Sequence, residues 1–118
     1  MVRISSENGS NLIYLKIIGK LTDIDFKEII PAFEQKLDSF NELNIFVDLI
    51  ELEGWEWRAA WDDFAFGIKY WKNLKKISIL GDKRWIKLSV TISHKLIPAE
   101  IRFFDSYRKK EALDWLKC

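Results

Sequence analysis

A chain of 118 residues, 48% hydrophobic and 14% aromatic, can close one hydrophobic core without help from disulfides or metals. Its 19 lysines and arginines against 18 acidic residues leave a net charge of +1, which excludes a binder that holds nucleic acid mainly by charge. Cys118 and His94 are each alone of their type, so neither a disulfide framework nor a multi-histidine metal site fits. No apolar run approaches the ~20 residues of a membrane-spanning helix. The opening MVRISSENGS lacks the apolar stretch of a signal peptide. The expectation is one domain over residues 1–118, cytoplasmic, with no cofactor.

Val2 to Ser5 reads as a short strand, and the polar turn Glu7-Asn8-Gly9-Ser10 leads into a second strand, Leu12 to Ile18, which Gly19 ends. Thr22 and Asp23 look like a helix cap. Ile24, Phe26, Ile29, Ile30, Phe33, Leu37 and Phe40 follow at helical spacing, with Pro31 expected to kink the helix. Leu43 to Leu49 is the near-continuous apolar run of a central strand. Read as a helix, residues 57–71 place Trp57, Ala60, Trp61, Phe64, Ile68 and Trp71 on one stripe, with Phe66 and Tyr70 nearly opposite.

Leu74 to Leu80 alternates like a strand, and Gly81-Asp82 turns the chain into an amphipathic helix over Lys83 to Leu96, stopped by Pro98. Ala99 to Phe104 is a last strand. Asp105 or Ser106 is expected to cap a terminal helix bearing Ala112, Leu113, Trp115 and Leu116. The order β-β-α-β-α-β-α-β-α predicts an α/β domain with a mixed, largely parallel sheet of about five strands.

Several ordered segments carry a resemblance. They are Gly19-Lys20-Leu21-Thr22 with Asp25 and Pro31; Val47-Asp48-Leu49 before Gly54-Trp55; Ala60, Trp61 and Asp63; and Gly81-Asp82-Lys83 with Trp85. Ala99-Glu100-Ile101-Arg102-Phe103-Phe104 and Ala112-Leu113-Asp114-Trp115-Leu116 complete the set. In this order the chain resembles the SpoIIAA-like family, bacterial single-domain relatives of the STAS fold also grouped with SEC14-type lipid-binding domains. The resemblance implies a STAS-like fold. STAS domains that antagonise anti-sigma factors carry a phosphorylatable serine at the start of the helix after the central strand. The matching region here, Glu53 to Arg58, has no hydroxyl, and no Ser or Thr occurs between Phe40 and Ile77. A switch that works by adding phosphate charge at that point has nothing to act upon. The SEC14 grouping implies instead an apolar ligand or a membrane surface.

Six tryptophans are many for this length, and each ring brings a large apolar area with one N–H to satisfy. Trp55, Trp57, Trp61 and Trp85 are the candidate ligand-binding residues; the competing reading makes them core. Trp55 follows Gly54 in a loop at a strand's carboxyl end, where ligands of open α/β sheets bind. Phe66 and Tyr70 are candidates for a homodimer interface, with a membrane-facing lid and plain surface rings as the alternatives. Lys83 and Arg84 enter a helix behind Gly81-Asp82. They would hold an anion there, unless the segment is only a strand-to-helix turn.

Asp48, Glu51, Glu53, Glu56, Asp62 and Asp63 could work as acid and base or hold a hard cation, but solvated charge is the simpler reading and no Asp-x-Asp-x-Asp-Gly pattern occurs. His94 falls on a polar helix face, and Cys118 is a terminal thiol. No nucleophile elbow, phosphate loop or dinucleotide fingerprint is present. The expected function is that of a non-enzymatic binding module for an apolar or amphipathic ligand or a lipid surface, working through the aromatic-rich region. The alternative is a signalling adaptor that binds a protein partner.

Overall fold

The computed structural model describes residues 1–55, 72–82 and 99–117, apart from the side chains of Asp23, Phe26 and Trp55. The chain opens with β1 (Val2–Ser6) and β2 (Leu12–Ile17), an antiparallel hairpin in which Val2 faces Ile17 and Ser6 faces Ile13. A short β3 (Gly19–Leu21) leads into α1 (Asp23–Leu37). After α1 come β4 (Leu43–Asp48), β5 (Leu52–Trp55), β6 (Leu74–Gly81), β7 (Glu100–Asp105) and the terminal helix α2 (Lys109–Leu116). The main sheet has the order β1-β2-β4-β6-β7, parallel at every pairing except β1 with β2. The five strands expected from the sequence are all present. The helices expected over 57–71 and 83–96 lie outside the described residues.

Side chains alternate across each strand, so the sheet has two distinct faces. One face carries Ile13, Leu15 and Ile17 of β2, Ile45 of β4 and Ile77 of β6, and receives Ile29, Phe33 and Leu37 of α1. The other carries Leu12, Phe46, Leu80 and Phe104 and receives Ala112 and Leu116 of α2. Both faces of β2 and β4 are covered, which explains why their sequences read as apolar runs and not as simple alternation.

The α1 terminus is built locally. Thr22 has extended backbone at the cap position, and the buried Asp25 carboxylate accepts from the Thr22 N–H at 2.9 Å and its hydroxyl at 3.2 Å. The helix runs through Pro31, which lies on the exposed side, and it ends at Leu37, short of the expected Phe40. Ile24 is a correction, since it stands exposed and not in the core. A step of 100° per residue puts it about 140° round from Ile29, off the stripe that Phe33 and Leu37 continue.

Two further corrections concern strands and caps. Gly19 does not merely end β2. It opens β3, which pairs in parallel with β5 to make a separate two-stranded ribbon that sequence periodicity does not reveal. The α2 cap is Arg108, not Asp105 or Ser106. Asp105 remains in β7 opposite Gly81, and its carbonyl accepts the Arg108 N–H at 2.9 Å across the intervening turn.

The terminal helix is tethered by polar groups of the sheet. Asn44 Nδ2 donates to the Leu116 carbonyl at 2.9 Å, and Lys76 Nζ donates to that of Trp115 at 3.3 Å, satisfying carbonyls that end the helix. The Trp115 ring has the Lys76 ammonium at 5.2 Å and the Arg102 guanidinium at 5.3 Å, with the Phe104 ring at 6.2 Å. Trp115 therefore docks the terminal helix on the sheet.

Candidate functional site

The parallel strands β2, β4, β6 and β7 deliver the chain to one end of the sheet at Ile17, Asp48, Gly81 and Asp105. The antiparallel β1 starts at the same end, because Val2 pairs with Ile17. The β3–β5 ribbon continues this end, since each of its strands follows directly after β2 or β4. Gly19 makes the crossing with φ of +71°, a conformation that favours glycine, and its N–H donates to the Glu51 carbonyl at 3.0 Å.

Asp48 closes β4 by a turn. Its Oδ1 accepts the Ile50 N–H at 3.0 Å, while the Leu49 N–H donates to the Leu80 carbonyl at 2.7 Å and the Leu52 N–H returns to that of Leu49 at 3.1 Å. Gly81 faces Leu49 so closely that a Cβ placed on it would stand 3.3 Å from the Leu49 Cβ. Only a residue without a side chain lets β6 pass this turn undisturbed.

The carboxylates at this end are engaged structurally where their contacts are described. Glu51 pairs with Lys16 at 2.8 Å, on side chains that remain substantially exposed. The Lys16 hydrogen bond and charge hold the Glu51 carboxyl below its ordinary pKa, and the same pair raises that of Lys16. Asp48 serves the turn and Asp25 serves the α1 cap. No group of three or more potential metal ligands occurs among the described residues. From Asp48 through Glu56 the sequence holds four carboxylates, the two end residues included, and no lysine or arginine.

Exposure distinguishes this end from the rest of the described molecule. The large apolar side chains that stand exposed are Met1 (57%), Ile24 (65%), Ile50 (45%) and Tyr107 (81%). All four belong here. Met1 precedes β1 and its amine donates to the Ile18 carbonyl at 2.9 Å; Ile24 lies in the first turn of α1 just after β3. Ile50 sits in the β4–β5 turn, and Tyr107 follows the end of β7.

Of the residues singled out by sequence, Trp55 ends β5 at this end of the sheet, although its side chain is outside the described set. Trp57, Trp61, Phe66, Tyr70, Lys83, Arg84 and Trp85 all lie outside the described residues, as do Asp62, Asp63 and His94. Sequence reasoning overlooked Ile24, Ile50 and Tyr107. The available signal was position: Ile50 lies between Asp48 and Glu51 in a turn, and Tyr107 between Ser106 and Arg108.

The SpoIIAA-like family model matches residues 12–117. An uncharacterized protein with a SpoIIAA-like fold from Shewanella loihica is 30% identical in sequence, with a TM-score of 0.76 over 98% of this chain and 92% of that one. The anti-sigma factor antagonist SpoIIAA, solved in its unphosphorylated form, is 8% identical, with a TM-score of 0.61 over 99% of this chain and 98% of that one; at that identity the likeness concerns the fold alone. No curated protein matches the chain by sequence.

Proposed function

The chain belongs to the SpoIIAA-like family, and we propose that it is a non-enzymatic binding module that engages a protein partner at the carboxyl end of its sheet, without a phospho-serine switch. The observation that carries this reading is the collection of Met1, Ile24, Ile50 and Tyr107 at that one end, exposed where the rest of the described apolar residues are covered. The run of carboxylates from Asp48 to Glu56 favours a protein over an anionic membrane, whose charge attracts basic segments and repels acidic ones. Residues 41–76 contain no Ser or Thr, so no serine or threonine hydroxyl follows the central strand for a phospho-serine switch to use. A cytoplasmic setting accompanies this reading, and no described helix is long and apolar enough to cross a membrane.

An apolar or amphipathic ligand is the second reading, supported by the density of aromatic residues from Trp55 to Trp71. Native mass spectrometry of gently purified protein separates the two. The first reading expects a protein partner at fixed stoichiometry, lost when Ile24→Arg and Ile50→Arg are combined. A small-molecule mass excess that disappears on denaturation would replace it with the second. A homodimer through Phe66 and Tyr70 is a subsidiary proposal, and sedimentation as a monomer at high protein concentration would end it.

A further inference from the structure

A separate feature occupies the opposite end of the sheet. A cleft of about 510 Å³ lies between β1, the turn that follows it, and α1. Ile4, Ser5 and Ser6 form one wall, and Ala32, Lys36 and Ser39, spaced along one face of α1, form the other. Lys36 fixes the geometry by donating from Nζ to the Glu7 carbonyl at 2.7 Å and to that of Ser10 at 2.6 Å, which ties the hairpin turn to the end of α1. The cleft is thus bounded by a strand, a helix and a pinned turn.

Among the described residues β1 is the terminal strand of its sheet. Met1 and Ile18 exchange both backbone hydrogen bonds, at 2.8 and 2.9 Å. Hydrogen-bonded and non-hydrogen-bonded pairs alternate along an antiparallel ladder. The register, with Val2 opposite Ile17 and Ile4 opposite Leu15, therefore turns the N–H and C=O of Val2, Ile4 and Ser6 away from β2. Two of these three residues, Ile4 and Ser6, line the cleft.

Charge narrows the kind of partner. Among the described residues no carboxylate lines the cleft, and the one formal charge there is the Lys36 ammonium. On the other face of the hairpin Arg3 stands directly opposite Lys16, and the Glu51 carboxylate, paired with Lys16 at 2.8 Å, offsets part of this like charge at the sheet edge. A further carboxylate brought alongside Arg3 would give that cation a partner of its own.

We propose that this cleft accepts an extended acidic peptide, which adds to β1 as a further strand. Backbone bonds to Ile4 and Ser6 would hold it, as in other additions to a sheet edge. Side chains at alternate positions would fall on opposite faces: apolar ones enter the cleft over Ile13 and Phe40, and acidic ones reach Arg3. The site is independent of the exposed apolar end proposed for the protein partner.

The probe is a labelled, end-blocked peptide of alternating valine and glutamate, titrated into the full chain and followed by anisotropy and backbone amide NMR. The Ile4 and Ser6 amides are expected to shift and to gain protection from exchange. Ser6→Pro removes one outward N–H and weakens binding about tenfold, the loss of one well-made hydrogen bond. Arg3→Glu is expected to weaken the glutamate peptide and make its lysine counterpart the better ligand, a reversal that does not depend on how well the proline variant folds. The Ile24→Arg, Ile50→Arg variant binds the peptide as the parent does. Saturating peptide that leaves both amides unmoved overturns the proposal, as does binding indifferent to Arg3→Glu. Protection of β1 that rises with protein concentration alone also overturns it, because a second copy would then occupy the edge.

Discussion

The two faces of the sheet are closed by different means. The α1 face presents Ile13, Leu15, Ile17, Ile45 and Ile77, and α1 answers with Ile29, Phe33 and Leu37. The α2 face mixes Leu12, Phe46, Leu80 and Phe104 with Asn44, Lys76, Ser78 and Arg102. Apolar closure is non-directional and scales with the area removed from water. A mixed face must instead meet each polar group with a partner, which fixes where the covering helix sits. The eight-residue α2 is located by Asn44, Lys76 and Arg102 as much as by its own Ala112 and Leu116. Two polar atoms on that face pay for the arrangement: Asn44 Oδ1 and the fully buried Ser78 hydroxyl have no hydrogen-bond partner among the described residues.

The contrast predicts a graded set of effects. Ile45→Ala, on the apolar face, should destabilise the whole domain by about 2–5 kcal/mol through lost burial and a residual cavity, read as a lower midpoint in chemical denaturation. Trp115→Ala should cost about 2 kcal/mol, because the ring is only partly buried and loses two cation contacts. Its signature is local: the α2 amides should exchange faster while those of β2 and β4 keep the rank of the parent protein. If protection falls equally everywhere, α2 is an ordinary part of one core and the contrast between the faces fails. Ser78→Ala should stabilise the protein by up to about 1 kcal/mol, since it removes a buried hydroxyl with no partner among the described residues. A loss of stability in thermal melts would mean that the hydroxyl has a partner in solution.

The smallest effect belongs to the exposed Lys16–Glu51 pair. The Glu51 carboxyl is lowered in the fold, so its contribution is present above the ordinary carboxyl range and fades as pH falls through the lowered value. The Lys16 value is raised, so its contribution is present below the ordinary lysine value and fades as pH rises through the raised one. Glu51→Gln should therefore flatten both limbs slightly in a plot of melting temperature against pH. Added salt should shrink the difference from the parent protein.

Much of this architecture was legible locally. The apolar runs at Leu12–Ile17 and Leu43–Asp48, the turn at Glu7–Ser10 and the stripe through Ile29, Phe33 and Leu37 each carry their own periodicity. The site was legible only as a location. Trp55 was expected in a loop after the central strand and instead ends the short strand β5, while the exposed Ile24, Ile50 and Tyr107 were marked only by position, Ile24 off the α1 stripe and the other two within polar turns.

The sequence by itself determined the chain order of the five sheet strands and the two described helices, and the absence of Ser and Thr between Phe40 and Ile77, because periodicity and composition are properties of short segments. Only the tertiary structure decided that Gly19–Leu21 pairs with Leu52–Trp55, that Arg108 caps α2, and that Ile4 and Ser6 turn backbone groups toward a cleft beside α1. Each of these depends on residues distant in sequence, or on which elements a strand is left facing, and no local pattern encodes that.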